Sequence, residues 1–575
     1  IRGCLKVSMA SFLKSTVLFL AVLTEVGVAH GSSNTTTPSP RPLRQVPLTE
    51  IVKLVGPEAP AAIVQLLVAK NWNAVDAAVH GAGGRKVWTP ELENIEGTSF
   101  LLRNRLPEAE HFFQRALALD PSFWRAQRNL GVTLWHEHRM SEAHAALQSA
   151  LERQPQDALG NLYFGQVLFA GRDCVGAFKA FAQAGNELAH VPVAALMASE
   201  CSLQKGDVRD AEDFFSKIGP EAGLPPQGLF AIAVHAAEVR DYRFAGAVLA
   251  RVPADFPSPY VHGYDLALTS YQSGDDRQAA NTLQQLVGSG QGTAEVLNLL
   301  GNALEEEGIR GKLPALVQQA YDAYRRGIYR DPHDRSNYLD IARLALKLRN
   351  YKLGEQLLTQ GLAENPAAYQ LLLERGIAYA FSSQSGHARA DFAAAQKLAP
   401  NDPMPYMATG ILGIQEGKYD TAAAALEHGV ERAAPPNAWL EYLLARALYK
   451  EGHQNSGDAT RLRSALLEAI RLNPKFTEAY GLAGQVWLKG GGAPQAINFL
   501  ETAHRLDPKN SHYVYELALA RRMKGDAGGA ARDFAAFREL EARNNPSRMR
   551  KYFIQIFANQ PPSGEGKRLV TDANP

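Results

Sequence analysis

The chain has 575 residues, a formal net charge of +1 and a pI near 7.9, with no basic stripe along it. That length exceeds a single globular core and points to several domains or a repeat, while the near-neutral balance argues against nucleic acid as a partner. Hydrophobic residues make up 46%, much of it alanine, which favours closely packed helices, and the three cysteines are too few for a disulfide scaffold and form no C-x-x-C.

The sequence begins at Ile1, and Met9 is the expected natural start. The apolar run Val17–Leu23 behind Lys14 is too short to span a bilayer. With "GVA" ending at Ala29, it reads as a secretory signal peptide over 1–29. Glu25 sits awkwardly inside that reading, and an amphipathic N-terminal helix is the alternative. No lipid-accepting Cys follows the apolar run. Residues 30–47 contain "SSNTTTPSPRP", which cannot build a core and predicts an extended linker. Asn34-Thr35-Thr36 has the pattern of a glycosylation sequon. Over 48–89, "AAIVQLLVAKNWNAVDAAV" reads as apolar helix and predicts an N-terminal cap or a degenerate repeat.

From Pro90 onward the chain repeats itself. Steps of 34 residues from Ala109 land on Ala143, Ala177, Ala211, Ala245 and Ala279. From Gly97 they land on Gly131, Gly165, Ser199, Ala233, Ala267 and Gly301, and from Phe113 on Leu147, Phe181, Phe215, Leu249 and Leu283. Three rows in one phase, each of one kind of side chain, are an internal repeat. The Gly/Ala row belongs to a first helix and the Ala row to a second, where small residues let helix axes approach. The Phe/Leu row lies one turn after the second Ala and is expected to fill the space between neighbouring units. Pro121 and Pro155 break the helix and separate units. Polar or Gly-bearing turns such as "AGRD" and "QKGD" fold each unit into a helical hairpin.

The phase slips at "EEEGIRGKLPALVQQ", where Gly301 and Ala320 stand 19 apart instead of 12, and again at "YKEGHQNSGDATRL". Both insertions are expected in turns. The rows resume with Ala342, Gly376 and Gly410, and later with Gly484 and Ala518. Thirteen units fit between Pro90 and Asn544. A C-terminal capping helix, "MRKYFIQIF", and a polar tail are expected over 545–575.

The hairpin with small, large, small and Pro rows resembles the tetratricopeptide repeat (TPR). "RAQRNLGVTLWHEHRMSEAHAALQSALERQP" and "AEHFFQRALALDP" match its pattern closely, and the resemblance covers about four-fifths of the chain. It implies an all-α fold, an α-solenoid in which about thirteen stacked hairpins wind into a right-handed superhelix over 90–544. It also implies a concave groove, lined by first helices, that takes an extended peptide or a partner helix.

Motifs for chemistry are absent: there is no H-E-x-x-H, no G-x-S-x-G and no phosphate loop. "GSGQG" from Gly288 follows no strand and reads as a flexible joint. His136 and His138 lie two apart and cannot chelate one metal from one helix face. The expectation is therefore a non-enzymatic chain with no catalytic residue, metal or cofactor. Candidate groove residues on first helices are Arg125, Arg128, Trp135, His136 and Tyr163, with Trp439 near the start of the eleventh unit. Core packing is an equal reading for each aromatic. Cys174 and Cys201 fall at similar height on neighbouring antiparallel helices, so a disulfide is open to them. Two buried thiols acting as small hydrophobes are the preferred reading. An asparagine ladder two residues before the small row fits at Asn129 but fails at Tyr163, Met197, Ala231, Asp265 and Leu299. No Lys/Asn set in register suits a carboxylate clamp. The reading that follows is a periplasmic or secreted bacterial scaffold for a protein or peptide partner, without a transmembrane span in the mature chain. The alternative is an accessory subunit of envelope assembly, secretion or polysaccharide export that presents substrates to a separate enzyme.

Overall fold

The computed structural model describes residues 48–83, 88–220, 222–452 and 456–543. The signal-peptide and linker readings over 1–47 and the C-terminal reading over 545–575 lie outside them. The described residues hold twenty-nine α-helices and no strand. The chain divides into two compact units, between Thr282 and Leu283.

Unit 1 opens with three short helices, Leu48–Val55, Ala61–Val68 and Trp72–Gly83. Five hairpins follow: Pro90–Leu102 with Leu106–Leu119, Trp124–His136 with Met140–Arg153, Ala158–Ala170 with Cys174–Ala184, Pro192–Gln204 with Val208–Ser216, and Pro226–Glu238 with Tyr242–Leu249. A 3₁₀ turn, Gly185–His190, joins the third to the fourth. The sixth hairpin, Pro259–Ser273 with Asp276–Gly288, carries the division between units in its second helix. Unit 2 continues with hairpins seven to thirteen. They start at Ala294, Arg335, Tyr369, Pro403, Ala438, Thr477 and Ser511, and the last helix ends at Arg543. The hairpins stack as the all-α solenoid that the repeat predicts. Between most successive hairpins within a unit, a second helix packs on the next first helix, and neighbouring first helices also meet directly. That puts the first helices on the tighter, inner face of each unit.

The small row explains why the two helices of a hairpin come so close. A Cβ added at Gly97 would lie 2.6 Å from Cε1 of Phe113, and one at Gly131 2.6 Å from Cγ of Leu147. The same relation recurs at Gly165 with Phe181 and at Gly376 with Phe392. The Phe/Leu knob therefore fills the gap inside its own hairpin, not the space between hairpins as the row alone suggested. The seventh hairpin also corrects an expectation. Its helices run for 18 and 17 residues, so the inserted residues lengthen both helices and leave the turn short.

Each hairpin turn places one residue in the left-handed region. Asn104, His138, Arg172 and Arg240 have φ between 60° and 65°, and Gly206 and Gly274 take the same place in their hairpins. This residue lets the chain close the helix with a bond from the residue that follows it back to the preceding turn, as in Arg105 N–H to Phe100 O (2.9 Å) and Arg139 N–H to Leu134 O (2.9 Å). At the joints, Asp120 accepts from Ser122 N–H (2.8 Å), and Asp331 from His333 N–H (2.9 Å), which turns the chain toward the next first helix.

Candidate functional site

The inner face of hairpins one to three in unit 1 is not empty. The N-terminal helix Leu48–Val55 lies against the first helices of these hairpins. An α-helix leaves its last carbonyls without intrahelical donors, and here the repeat supplies them. Arg128 Nη2 donates to Lys53 O (2.7 Å) and Leu54 O (3.4 Å). Asn129 Nδ2 donates to Leu54 O (2.8 Å), and Asn94 Nδ2 to Leu54 O (3.1 Å) and Val55 O (3.4 Å). A cation at a helix C-terminus also complements the helix dipole.

Side chains fix the register of the bound helix. Tyr163 OH donates to Glu50 Oε1 (3.0 Å), Lys53 pairs with Glu187 in the 3₁₀ turn, and Arg125 reaches Glu58 (3.0 Å) just beyond the helix. Leu54 is buried against the core of the hairpins, and Ile51 and Val55 pack with Ile63, Leu67, Val75 and Val79 of the next two helices. The chain leaves the site through Gly56, at φ +94°, where a Cβ would lie 2.5 Å from Glu58 Oε2 and 3.2 Å from Arg125 Cδ. That turn thus calls for glycine both in backbone conformation and in space.

The receiving residues are held in place by the hairpins themselves. Arg128 is fully buried and pairs with Asp157 (3.2 Å), the N-cap of the third hairpin, while its Nε donates to Asn129 Oδ1 (3.0 Å). Asn129 Nδ2 also donates to Asn94 Oδ1 (2.8 Å), which ties the first helices of hairpins one and two together. Burial pulls the Arg128 guanidinium below its ordinary value, and Asp157 opposes the shift. The ring of Trp124 stacks beside both arginines, 4.7 Å from Arg125 and 5.3 Å from Arg128.

Of the residues singled out from sequence, Arg125, Arg128 and Tyr163 meet at this site. His136 is half-buried beside Tyr163, with ring centres 6.2 Å apart. Trp135 is buried in the hydrophobic core and takes the packing role. Trp439 belongs to unit 2, where it packs 4.4 Å from Phe476 and 5.8 Å from Tyr442. The sequence reading did not find Asn94, Asp157 or Glu187, nor the occupant residues Glu50, Lys53 and Leu54. Asn94 stands three residues before Gly97 rather than two, and so falls outside the row on which a ladder was sought.

The inner face of unit 2 is laced by its own side chains. Asn298 donates to Asp340 (3.0 Å), Arg343 to Glu374 (2.7 Å) and Lys347 to Glu305 (2.6 Å), linking the first helices of hairpins seven to nine. Tyr324 OH stands within hydrogen-bond distance of Glu305 Oε2 (3.0 Å) and Asn302 Oδ1 (2.9 Å), either of which can accept its one proton.

Cys174, opening the second helix of hairpin three, is joined to Cys201, midway along the first helix of hairpin four, with Cα atoms 4.9 Å apart. Adjacent antiparallel helices bring both residues to one height, as the disulfide reading requires. A bond across 27 residues of sequence removes unfolded-state freedom amounting to about 3–4 kcal/mol. Among the described residues, no group of three His, Cys, Asp or Glu side chains could hold a metal ion, and no helix is long and apolar enough to cross a membrane.

Stacked hairpins whose inner face holds a segment of the same chain define a helical-repeat protein. The family model described as "Tetratricopeptide repeat" matches residues 96–158 and 339–403. These two stretches fall in hairpins one to three and eight to ten, in phase with the 34-residue period, and carry tetratricopeptide repeats. No curated protein sequence matches it. Among solved structures, yeast Tom70 is similar at 12% identity and TM-score 0.39, over 80% of this chain and 97% of that one. Cut9, from the APC/C hetero-tetramer Cut9–Hcn1, is similar at 13% and 0.33, over 84% and 99%. YrrB, a TPR protein with an unusual peptide-binding site, is similar at 18% and 0.28, over 35% and 96%. At these scores the likenesses add nothing to the hairpin architecture itself.

Proposed function

We propose that the chain is a non-enzymatic scaffold, periplasmic or secreted in a bacterium, which binds protein or peptide partners on the inner face of its repeats. The observation that carries this reading is the occupancy of hairpins one to three. The face already holds a polypeptide segment through Arg128, Asn129 and Asn94 bound to main-chain carbonyls. Groups that read a backbone serve any chain that presents the same atoms. The Cys174–Cys201 bond supports an oxidising compartment, as does the signal-like segment ending at Ala29.

A photo-cross-linking residue placed at His136, on the inner face, and separately at Lys179, exposed on a second helix, tests the reading in envelope extract. A protein captured at a stoichiometric yield from His136 and not from Lys179 is the expected result. Equal capture at both, or none, sinks it. Recovery of polysaccharide instead of protein would move the assignment to an accessory role in export. An uncleaved precursor that stays soluble in the cytoplasm would overturn the compartment.

A further inference from the structure

The N-terminal helix could be a permanent plug or the tethered occupant of a receptor. Two observations separate the possibilities. First, the polar residues that hold it are preorganised without it. Arg128 is fixed by Asp157 and Asn129, and Asn129 by Asn94, all within the hairpins. Removing the helix would leave this constellation of donors in place, facing the vacated groove. A surface that evolved only to be sealed needs no set of prearranged backbone-reading donors; apolar packing suffices. Second, most of the polar grip falls on carbonyls of Lys53, Leu54 and Val55, which every helix end exposes, and only Glu50 and Lys53 are recognised by their side chains within the helix. The helix itself has eight residues, too few to persist alone in water, so its docked form depends on the groove.

We propose that the inner face of hairpins one to three is a receptor for the last turn of a short amphipathic helix bearing an acidic residue, that Leu48–Glu58 is its tethered occupant, and that a partner enters by displacing this segment with one of the same chemistry. The required features follow from the contacts. An acid sits where Glu50 meets Tyr163, a base where Lys53 meets Glu187, and an apolar residue where Leu54 enters the core. Two or three terminal carbonyls face Arg128, Asn129 and Asn94, and the chain then turns away through glycine. The tether makes the site self-masking. A linked occupant competes at an effective concentration of about millimolar, so a free segment binds only when it is abundant, tighter, or multivalent. This inference rests on the scaffold reading and specifies the partner's binding element.

The test uses the full-length chain and a fluorescein-labelled, C-terminally amidated peptide of residues 48–58, LTEIVKLVGPE, followed by anisotropy. Leu54→Asp removes the apolar anchor of the tethered helix and leaves every receptor residue intact. Gly56→Val loosens it more gently, through the strained turn. The wild-type chain should bind the peptide weakly. Both released variants should bind it at least tenfold more tightly, and adding Asn129→Ala to either should return the affinity to the wild-type level or below. Released chains that keep their helical circular dichroism and bind no better than wild type would overturn the proposal. So would binding that is indifferent to Asn129→Ala. Loss of helical signal in both released variants would also overturn it, since the helix would then be a structural plug. A chain that captures a protein at His136 but fails the peptide test refutes this receptor and spares the scaffold. Peptide binding without any captured protein does the reverse.

Discussion

At the level of single residues, one amino acid plays opposite parts in the same helix type. Gly376 is buried, and a Cβ there would sit 2.5 Å from Cε1 of Phe392. Gly386 lies in the following helix with nothing within 4 Å of its would-be Cβ. Alanine at 376 forces the ring to move and should cost roughly 1–3 kcal/mol. Alanine at 386 relieves backbone entropy and should stabilise by about 0.5–1 kcal/mol. Opposite shifts in thermal midpoint for the two variants check the argument, and equal shifts would refute it. Glu96 is a second case decided by surroundings. Burial raises its carboxyl above the ordinary value of 4.5, the Asp76 charge adds to the rise, and His80 and Arg103 oppose it. A raised folded-state value means that folding takes up a proton, so the favourable contribution is complete below the unfolded value and fades as pH rises through the carboxylate range. Glu96→Gln should therefore melt higher than wild type at pH 7, and the gap should close on acidification below about pH 4.5. A gap that widens on acidification would reverse the sign and remove the explanation.

At the level of the hairpin, the turn demands a backbone conformation that most side chains resist. Asn104, His138, Arg172, Arg240, Lys312, Arg349 and Ser383 all adopt positive φ, and Gly206, Gly417 and Gly491 do so in other hairpins. The left-handed region costs an L-residue on the order of 1 kcal/mol, partly offset by the greater freedom of glycine in the unfolded chain. Arg240→Gly should then raise stability by about 0.5–1 kcal/mol, read from urea midpoints with an unchanged slope, whereas Arg240→Ala should not. Hairpins of this kind were legible in the sequence because their constraints are local and repeated. Ala109, Gly97 and Phe113 recur at a fixed step, and the polar turns fall between them. What the row could not reveal was where the knob points, since Gly97 with Phe113 in one hairpin and a contact across hairpins give the same periodicity. The candidate site was half legible. Arg125, Arg128 and Tyr163 stand on a first helix and were visible as polar or aromatic exceptions to the packing pattern. Their partners lie 67, 75 and 113 residues away, in a segment without repeat signal, so no local pattern could name the occupant.

At the level of the whole molecule, a stack of hairpins has no single centre. Its buried residues form several groups, from one that runs through Leu54 to Val252 to small ones confined to neighbouring hairpins. Phe392, for example, packs with Leu373, Ile377, Ala388, Ala408 and Leu412, all from hairpins nine and ten. A repeat array of this kind is stabilised by each unit and by its interfaces with immediate neighbours, so damage should stay near its origin. The same locality lets hairpins one to three keep a receptor while the inner face of unit 2 is tied by Asn298–Asp340 and Arg343–Glu374. Phe392→Ala tests this locality. The ring is fully buried, and its loss leaves a cavity beside Gly376, so the cost should be about 3–5 kcal/mol. Native-state hydrogen exchange should show faster amide exchange in hairpins eight to ten, with protection unchanged in hairpins one to three and in the Leu48–Val55 helix. In a single cooperative core the same deletion would lower protection everywhere by a similar free energy. Uniform acceleration from Leu48 to Arg543 would therefore show that the chain unfolds as one body, and that the N-terminal helix could not open without the rest.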